Sequence, residues 1–252
     1  MISYAMIRLG FFLFFSVVLF FGCSISDDNG QSIIDKAIQA HGGSLYENSI
    51  IAFDFRNRHY VVERDHGIFS YHRIFHDSVG TYHDILNNDG FQRFLNDREI
   101  EVDAEWARRY SNSVNSVAYF ALLPFGLNDP AVNKSFLGEE EINGDNYFKI
   151  KVTFDQEGGG EDHEDVFVYW LNKNNYRMDY FGYYYISDGG GSRFREAINQ
   201  RVVNGLLFSD YHNYKGPDDL IAVEEMAELY KNGKLEKLSD INLENLEVKR
   251  FD

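Results

Sequence analysis

The chain has 252 residues and a formal net charge of −16, from 40 acidic and 24 basic residues. Nucleic acid is bound by clustered Lys and Arg, and the sequence shows no such cluster, so we expect no nucleic-acid partner. The length is sufficient for one substantial hydrophobic core, and the composition marks no internal linker, so we predict a single domain over residues 32–252.

Residues 1–22 have the pattern of a secretory signal peptide. One charge, Arg8, precedes an apolar run from Leu9 to Gly22 that only Ser16 interrupts. The run is about as long as the apolar core of a signal peptide, whereas a membrane-spanning helix needs roughly 20 residues. We therefore predict a leader that is cleaved, in preference to a transmembrane anchor.

Cys23 is the only cysteine and stands where the apolar run stops. The five residues LFFGC that end at Cys23 resemble the lipobox of bacterial lipoproteins, although Phe20 replaces the usual aliphatic residue. The resemblance implies cleavage before Cys23 and lipidation of its sulfur, and several acyl chains hold a protein firmly to a membrane. An incidental cysteine is the alternative.

Residues 23–31 are predicted to consist of the lipidated Cys23 and a short polar linker. Asp27 and Asp28 within it resemble a surface-export signal of some Gram-negative lineages. They fit an ordinary linker equally well, so both interpretations stay open.

A short helix and a set of strands are predicted next. Ser32 is a candidate N-cap, apolar residues follow at helical spacing, and "HGG" from His41 stops the helix. The segment Ser49–Arg64 alternates like one strand, with Phe53, Phe55 and Val61 on one face. Shorter strands are expected around "NNDGF" and "LNDREIEV".

A second helix is predicted from Asp103 to about Leu123, where Pro124 ends it. Its apolar residues recur at intervals of three and four, which gives one stripe. A stripe of this kind is more often part of the core than a cofactor site. It consists of Trp106, Ala107, Tyr110, Val114, Val117 and Ala121.

The part of the chain from Lys134 onward has the pattern of a meander. Five alternating segments follow one another with short turns between them, which predicts an antiparallel sheet. A late helix is expected over Asp218–Asn232, and "LENLEVKRF" is expected to form a last edge strand. The predicted fold class is α+β and β-rich, with a curved antiparallel sheet, a half-barrel, covered by a few helices.

A glycine-rich segment with acidic residues, "GGGEDHEDVFVYW", lies at one end of this meander. Turns alternate between the two ends of an antiparallel meander, so the turns at Gly158 and Gly189 are expected at the same end. Side chains two apart on a strand lie about 6–7 Å apart, which lets His163 and Asp165 reach one ion, with Asp162 beside them. Such donors suit Ca, Mn or Zn.

The alternative for this rim is a solvated hairpin tip whose acids are neutralised by Arg193 and Arg195. Another histidine pair, His72 and His76, is separated by four strand residues, about 13 Å, which is too far to share an ion. The motifs of common hydrolases are missing from the sequence. We therefore predict no catalytic residue.

Aromatic residues of the meander are candidates for lining a ligand-sized interior. An antiparallel sheet that curves into a half-barrel can enclose such a space. A place in the ordinary core is the alternative for each of them. The candidates are Phe148, Phe154, Phe167, Tyr169, Phe181 and Tyr183.

Several longer segments are similar to a family of uncharacterised lipoproteins from Gram-negative bacteria, grouped as a domain of unknown function. The similarity covers roughly residues 33–215 and rests on AHGGSLYENS, FDFRNRHY, NSVNSVAYFALLPFGLNDPAV, GGGEDHEDVFVYW and GGGSRFREAINQR. Such proteins resemble the LolA/LolB-type lipoprotein carriers, whose half-barrel is covered by helices and holds acyl chains. The resemblance implies this fold and an outer-membrane lipoprotein of the cell envelope, with surface exposure left open.

Three functions are compatible with the sequence. The first is a membrane-anchored envelope protein that binds a lipid, an acyl chain or another amphipathic ligand in an apolar cavity, with Arg56 and Arg58 at its mouth or outside. The second is a metal-dependent envelope hydrolase that uses the rim from Asp162 to Asp165. The third is an interaction or structural lipoprotein without a small ligand.

Overall fold

The structure is a computed structural model that describes residues 28–158, 163–186, 189–218 and 221–251. Three α-helices lie within these ranges: α1 (Asp28–His41), α2 (Ala104–Leu122) and α3 (Met226–Lys231). None of the helices in the described ranges is both long enough and apolar enough to cross a membrane.

The strands of the described ranges form two antiparallel sheets of seven strands each. The strands of sheet A are β1 (Asn48–Phe55), β2 (Arg58–Asp65), β3 (Ile68–His76), β4 (Thr81–Asn87), β5 (Gly90–Leu95), β6 (Arg98–Glu99) and β14 (Glu244–Lys249). Those of sheet B are β7 (Val132–Ile142), β8 (Asp145–Phe154), β9 (Val166–Asn172), β10 (Met178–Tyr185), β11 (Gly191–Val203), β12 (Leu206–Lys215) and β13 (Glu236–Ile241). Sheet A has the spatial order β14-β1-β2-β3-β4-β5-β6, and sheet B the order β13-β12-β11-β10-β9-β8-β7.

The predicted fold class is confirmed, since open antiparallel sheets dominate and a few helices cover them. The meander of five strands is β8 to β12, and its last hairpin turns at Asn204–Gly205, both with positive φ. Asn-Gly is the dipeptide that such two-residue turns prefer. The predicted last strand is also confirmed as β14, an edge strand of sheet A.

Sheet B is covered on both faces. α1 packs on one face through Ile34 and Ala37, in a cluster that includes Tyr169. α3 packs on the opposite face through Met226, in a cluster that includes Trp170. Because alternate residues of a strand point to opposite faces, this double cover explains why β9 is buried along almost its whole length.

Helix α2 lies between the sheets and contacts both. Val114, Ala118 and Leu122 belong to the core cluster of sheet A. Tyr119 and Phe120 instead pack against the cluster of sheet B. A helix with apolar residues on two sides is the expected filling for the space between two apolar sheet faces.

The beginning of α1 differs from the prediction. Residues 28–31, predicted as part of the linker, already belong to the helix. Gln31 Nε2 donates hydrogen bonds to Asp35 Oδ1 and to Asn128 Oδ1, each at 2.8 Å, so the first turn is tied both to the helix and to the loop before β7.

The prediction of one strand over Ser49–Arg64 is wrong. The chain turns at Arg56 and Asn57, whose φ angles are 50° and 60°, and β1 pairs with β2. Two successive residues with positive φ form the tight turn that suits a hairpin, but without a glycine the sequence signal is weak. The turn also changes the buried face, which carries Tyr60 and Val62 in place of Val61.

The predicted late helix over Asp218–Asn232 is shorter than expected. A 3-10 turn occupies Val223–Glu225 and α3 begins at Met226. Before it, the carbonyl of Ile221 accepts a hydrogen bond from Ser192 Oγ at 2.8 Å, and Ala222 has an extended conformation with ψ of 127°. The link to β11 therefore holds this stretch outside the helix.

Candidate ligand-binding cavity

A half-open, mainly apolar cavity of about 160 Å³ lies where α2 meets residues of both sheets, and we call it the α2 cavity. In another protein, an engineered apolar cavity of about 150 Å³ takes up benzene, so the α2 cavity has room for a segment of about six carbon atoms. Its apolar lining consists of Phe55, Val117, Phe120, Ala121, Tyr211, Ile241 and Leu243.

Short side chains of α2 leave room for the cavity. Val117 and Ala121 are four residues apart and so share one face of the helix. Beside them, Phe120 fills the side toward sheet B, with its ring centre 6.0 Å from that of Phe181 and 5.4 Å from that of Tyr183. A larger residue at position 121 would therefore occupy the cavity.

The wall formed by Leu243 is held by a polar pair. Arg201 Nη2 donates to the carbonyl of Leu243 at 2.6 Å, and the amide of Leu243 donates to Asp210 Oδ1 at 2.9 Å. Arg201 Nη1 also lies 3.1 Å from Asp210 Oδ1. Both backbone groups of Leu243 are thus satisfied, which fixes the connection between β13 and β14 beside the cavity.

Arg195 of β11 places a charge at the cavity, and only 9% of the residue is exposed. Its Cζ lies 5.1 Å from the ring centre of Phe120 and 5.5 Å from that of Tyr183. Nη2 donates to Tyr183 Oη at 2.9 Å, whereas Nε has no hydrogen-bond partner. None of the ion pairs between described residues includes Arg195.

Arg56 lies at the mouth of the cavity, as a binding protein would require. Its backbone forms the turn between β1 and β2, and its Cζ lies 5.0 Å from the ring centre of Phe55. The side chain is exposed. Arg58 is exposed as well and lies outside the cavity, over the ring of Phe75.

The side chains that line the cavity carry a net positive charge, whereas the whole chain is negative. The lining includes two arginines, Arg56 and Arg195, and two serines, Ser116 and Ser209, but none of the described Asp or Glu residues. The chain as a whole carries 40 acidic against 24 basic residues. The cavity is therefore a cationic place on a strongly acidic protein, where an anion is favoured.

A second cavity, of about 280 Å³, lies on the other side of α2 and is more polar. Arg64 donates from Nη1 to Tyr71 Oη at 2.6 Å, and its Cζ lies 4.8 Å from the ring centre of Phe125. Burial raises the pKa of Asp129 there, and the charge of Arg64 partly offsets this. Because the opposite charges of Arg64 and Asp129 already offset each other in this cavity, it is a weaker candidate for a ligand-binding site than the α2 cavity.

The six aromatic candidates from the sequence all belong to, or pack against, the core cluster of sheet B. Phe167, Tyr169 and Phe181 are buried within it, and Phe154 borders the second cavity. Phe148 stacks on Tyr176. Tyr183 reaches the α2 cavity indirectly, through its hydrogen bond with Arg195.

The sequence pointed to Arg195 only as a neutraliser of the glycine-rich rim. Arg195 lies at the α2 cavity instead, because the register of sheet B pairs it with Phe181 on the neighbouring strand. Directly opposed residues share a face of the sheet. Arg195 is therefore the cross-strand neighbour of Phe181, a predicted lining residue. The sequence could have indicated Arg195 as a site residue only if the exact strand register had been known.

The predicted metal site and lipid site extend beyond the described residues. Cys23 and Asp162 lie outside them, while His163 and Asp165 lie in the turn before β9. The meander does bring the turns at Gly158 and Gly189 to the same end of sheet B. Among the described residues no group of three or more His, Cys, Asp and Glu is placed to hold a metal ion. Metal binding at the rim stays a prediction.

His72 has a different partner from the one considered in the sequence. Its Nδ1 lies 2.9 Å from Nε2 of His83 on the neighbouring strand, and its Nε2 lies 2.9 Å from Ser70 Oγ. Burial lowers the pKa of His72, and the adjacent His83 lowers it further. The sequence could not indicate this pair, since the residues meet only through the register of β3 and β4.

Comparison with models of protein families assigns the chain to one family. The model of a family of unknown function, DUF6503, matches residues 9–244. The chain belongs to this family. The membership in a family of unknown function that the sequence motifs implied is thus confirmed, and the family carries no assigned activity. A search among curated proteins gives no match.

Solved structures similar to this DUF6503 protein include a LolA superfamily protein from Nitrosomonas europaea, as the resemblance predicted. It has 13% identity and a TM-score of 0.48, over 88% of this chain and 94% of that one. A protein domain from Vibrio parahaemolyticus, described as outer membrane lipoprotein-sorting, has 12% identity and a TM-score of 0.47, over 89% and 94%. A DUF1329 family protein from Desulfovibrio piger has 13% identity and a TM-score of 0.48, over 86% and 92%. At these identities and TM-scores we infer nothing about the ligand of this chain from those proteins.

Proposed function

We propose that this protein is a membrane-anchored binding protein of the cell envelope that holds the apolar part of an amphipathic ligand in the α2 cavity. The observation that carries the proposal is the cavity itself, which is half-open, lined mainly by apolar side chains and bordered by a few polar ones. Ligand sites in proteins commonly have this composition.

The leader and Cys23 support the anchored form. An apolar leader followed by a single cysteine fits a lipoprotein whose mature chain begins at its lipid. The acidic surface fits a protein that does not bind nucleic acid. We place the protein in the outer membrane of a Gram-negative cell, as the sequence resemblance implies.

The volume limits what the cavity can hold. Burial of one methylene contributes about 0.8 kcal/mol, so six carbon atoms contribute at most about 5 kcal/mol, a dissociation constant on the order of 0.2 mM. A six-carbon end of a longer chain fits inside, and the remainder would lie at the open mouth. The cavity thus suits one short apolar segment and does not enclose a whole lipid.

The replacement Ala121→Phe tests this function. It places a ring of benzene size into a cavity of similar volume, and we expect 1-octanol to bind at least about tenfold more weakly, because losing two buried methylenes already has that effect. The measurement is a saturation-transfer NMR titration of the mature chain, residues 23–252, with Cys23→Ser to prevent lipidation.

The matched control is Ala104→Phe, at the exposed first residue of the same helix. It is expected to bind octanol like the parent protein. Octanol binding that is unaffected by Ala121→Phe, or that weakens equally in both variants, would exclude the α2 cavity as the site.

A further inference from the structure

We infer that the ligand of the α2 cavity is an anionic amphiphile, with one carboxylate or phosphate group beside its apolar segment, and that Arg195 binds this group. The inference rests on the proposed function and specifies the ligand class. Arg56 at the mouth adds a second positive charge along the path of entry.

Arg195 has a hydrogen-bond donor that lacks an acceptor within the described part of the chain. A guanidinium has five N–H donors and no acceptor. Among the described residues only Tyr183 Oη accepts from it, and Nε is buried without a partner. Buried polar groups are nearly always hydrogen-bonded, so an unpartnered donor beside a cavity indicates an acceptor that comes from outside the chain.

The positive charge of Arg195 is buried and also lacks a partner of opposite charge among the described residues. Burial of an unpaired ion costs several kcal/mol, and buried arginines are therefore usually paired with an acid. The two other buried arginines of the described residues, Arg73 and Arg93, follow this rule, since both contact Asp84. Arg195 has no such partner among the described residues, and no described acid lines its cavity.

The aromatic rings around Arg195 account for only part of this cost. Cation–π contacts with Phe120, Phe181 and Tyr183, at 5.1–5.7 Å, stabilise the charge. They occupy none of its N–H donors, because a ring face is no substitute for an in-plane acceptor, and Nε stays unpartnered. A carboxylate or phosphate fits the planar fork, and the hydroxyls of Ser116 and Ser209 in the lining can donate to the same group.

The test compares ligands with the same eight-carbon chain and different head groups, by the NMR titration of the mature chain at pH 7.5. We expect octanoate or octyl phosphate to bind at least about tenfold more tightly than 1-octanol, as a charge-assisted hydrogen bond allows, and octylammonium to bind most weakly. A preference for octanoate identifies a carboxylate head, and a preference for octyl phosphate alone identifies a phosphate head.

Two methionine variants locate the effect. Arg195→Met keeps the length of the side chain and is expected to abolish the tenfold preference while octanol binding changes less than about twofold. The matched control is Arg193→Met, because Arg193 lies two residues away on the same strand face and also donates to a tyrosine, Tyr185, but does not line the cavity. If Arg195→Met fails to fold, Arg195→Lys keeps the charge and is expected to retain a preference for the anion.

The outcomes separate this inference from the proposed function. Equal binding of octanoate, octyl phosphate and octanol by the parent protein would overturn the anionic ligand and leave the binding protein standing, with Arg195 held only by Tyr183 and its other aromatic neighbours. An equal loss in both methionine variants would also overturn the role of Arg195. Failure of all four compounds to bind would overturn the proposed function and this inference with it.

Discussion

Asp84→Asn is expected to lower the free energy of unfolding by about 3–5 kcal/mol, because it removes the negative charge between two buried arginines. The side chain of Asp84 is fully buried, and those of Arg73 and Arg93 are 4% and 8% exposed. Asp84 Oδ2 accepts from Arg73 Nη2, and Oδ1 accepts from Arg93 Nε, each at 2.6 Å. Urea unfolding measures the change, with an unchanged m-value as the sign of a two-state comparison.

A matched carboxylate at the surface gives the control for Asp84. Glu105 pairs with Arg109 on the exposed side of α2 at 2.6 Å. Glu105→Gln is expected to change the free energy of unfolding by at most about 0.5 kcal/mol, since an exposed pair is screened by water. A loss below 1 kcal/mol for Asp84→Asn would show that the buried cluster contributes little to stability.

The same cluster holds α2 beside the cavity. Arg73 Nη1 donates to Ser113 Oγ at 2.7 Å, and Arg93 Cζ lies 3.4 Å from the ring centre of Tyr110. Farther along the helix, Tyr119 Oη lies 3.4 Å from Tyr169 Oη of sheet B. Polar contacts to both sheets thus fix the position of the helix that forms one wall of the α2 cavity.

The second large effect is expected on acidification, through His41. This residue is 2% exposed, its Nδ1 donates to the carbonyl of Ala37 at 2.7 Å, and its Nε2 accepts from the amide of Met178 at 3.4 Å. Burial lowers its pKa from 6.5 to about 4. A proton on Nε2 would also place two donors face to face.

The sign of the pH effect follows from this lowered pKa. Below pH 6.5 the unfolded chain binds a proton at His41 that the folded chain refuses until about pH 4. Stability is therefore fully present above pH 6.5 and falls between pH 6.5 and 4, by about 3 kcal/mol for this group. Urea unfolding at pH 7.5, 6.5, 5.5 and 4.5 measures the loss.

His41→Gln isolates the contribution of this one imidazole, because glutamine does not titrate. We expect the fall in stability on acidification to be reduced by up to about 3 kcal/mol relative to the parent protein. His76→Gln, at an exposed strand end, is the control and should keep the parent's fall. Parallel pH profiles for the parent and His41→Gln would contradict the assignment.

Local patterns predicted much of the fold correctly. Helix α2 begins where the sequence indicated, with Asp103 accepting from the amide of Trp106 at 3.1 Å, and it ends before Pro124. The β1–β2 hairpin was missed, because Arg56 and Asn57 adopt positive φ without a glycine to signal it. Tertiary pairing of β1 with β2 overrode the weak local preference there.

The candidate site was only partly predictable. The sequence predicts aromatic residues of the meander either as lining of a cavity or as ordinary core, because a sequence cannot distinguish a residue in a filled core from one beside an empty space. The α2 cavity is bounded by Phe55, Ala121 and Tyr211, which come from three distant parts of the chain. Arg56 reaches the cavity because it forms the β1–β2 turn, a turn that the sequence did not predict.

By itself the sequence determined the leader pattern, the acidic character, the antiparallel meander and the amphipathic helix, because each depends on composition or on short-range periodicity. Only the tertiary structure decided that Arg195 lies against Phe120, that Asp84 joins Arg73 and Arg93, and that a void remains beside Ala121. Such features depend on strand register and on how distant side chains fill a common volume, and neither is encoded in any short stretch of residues.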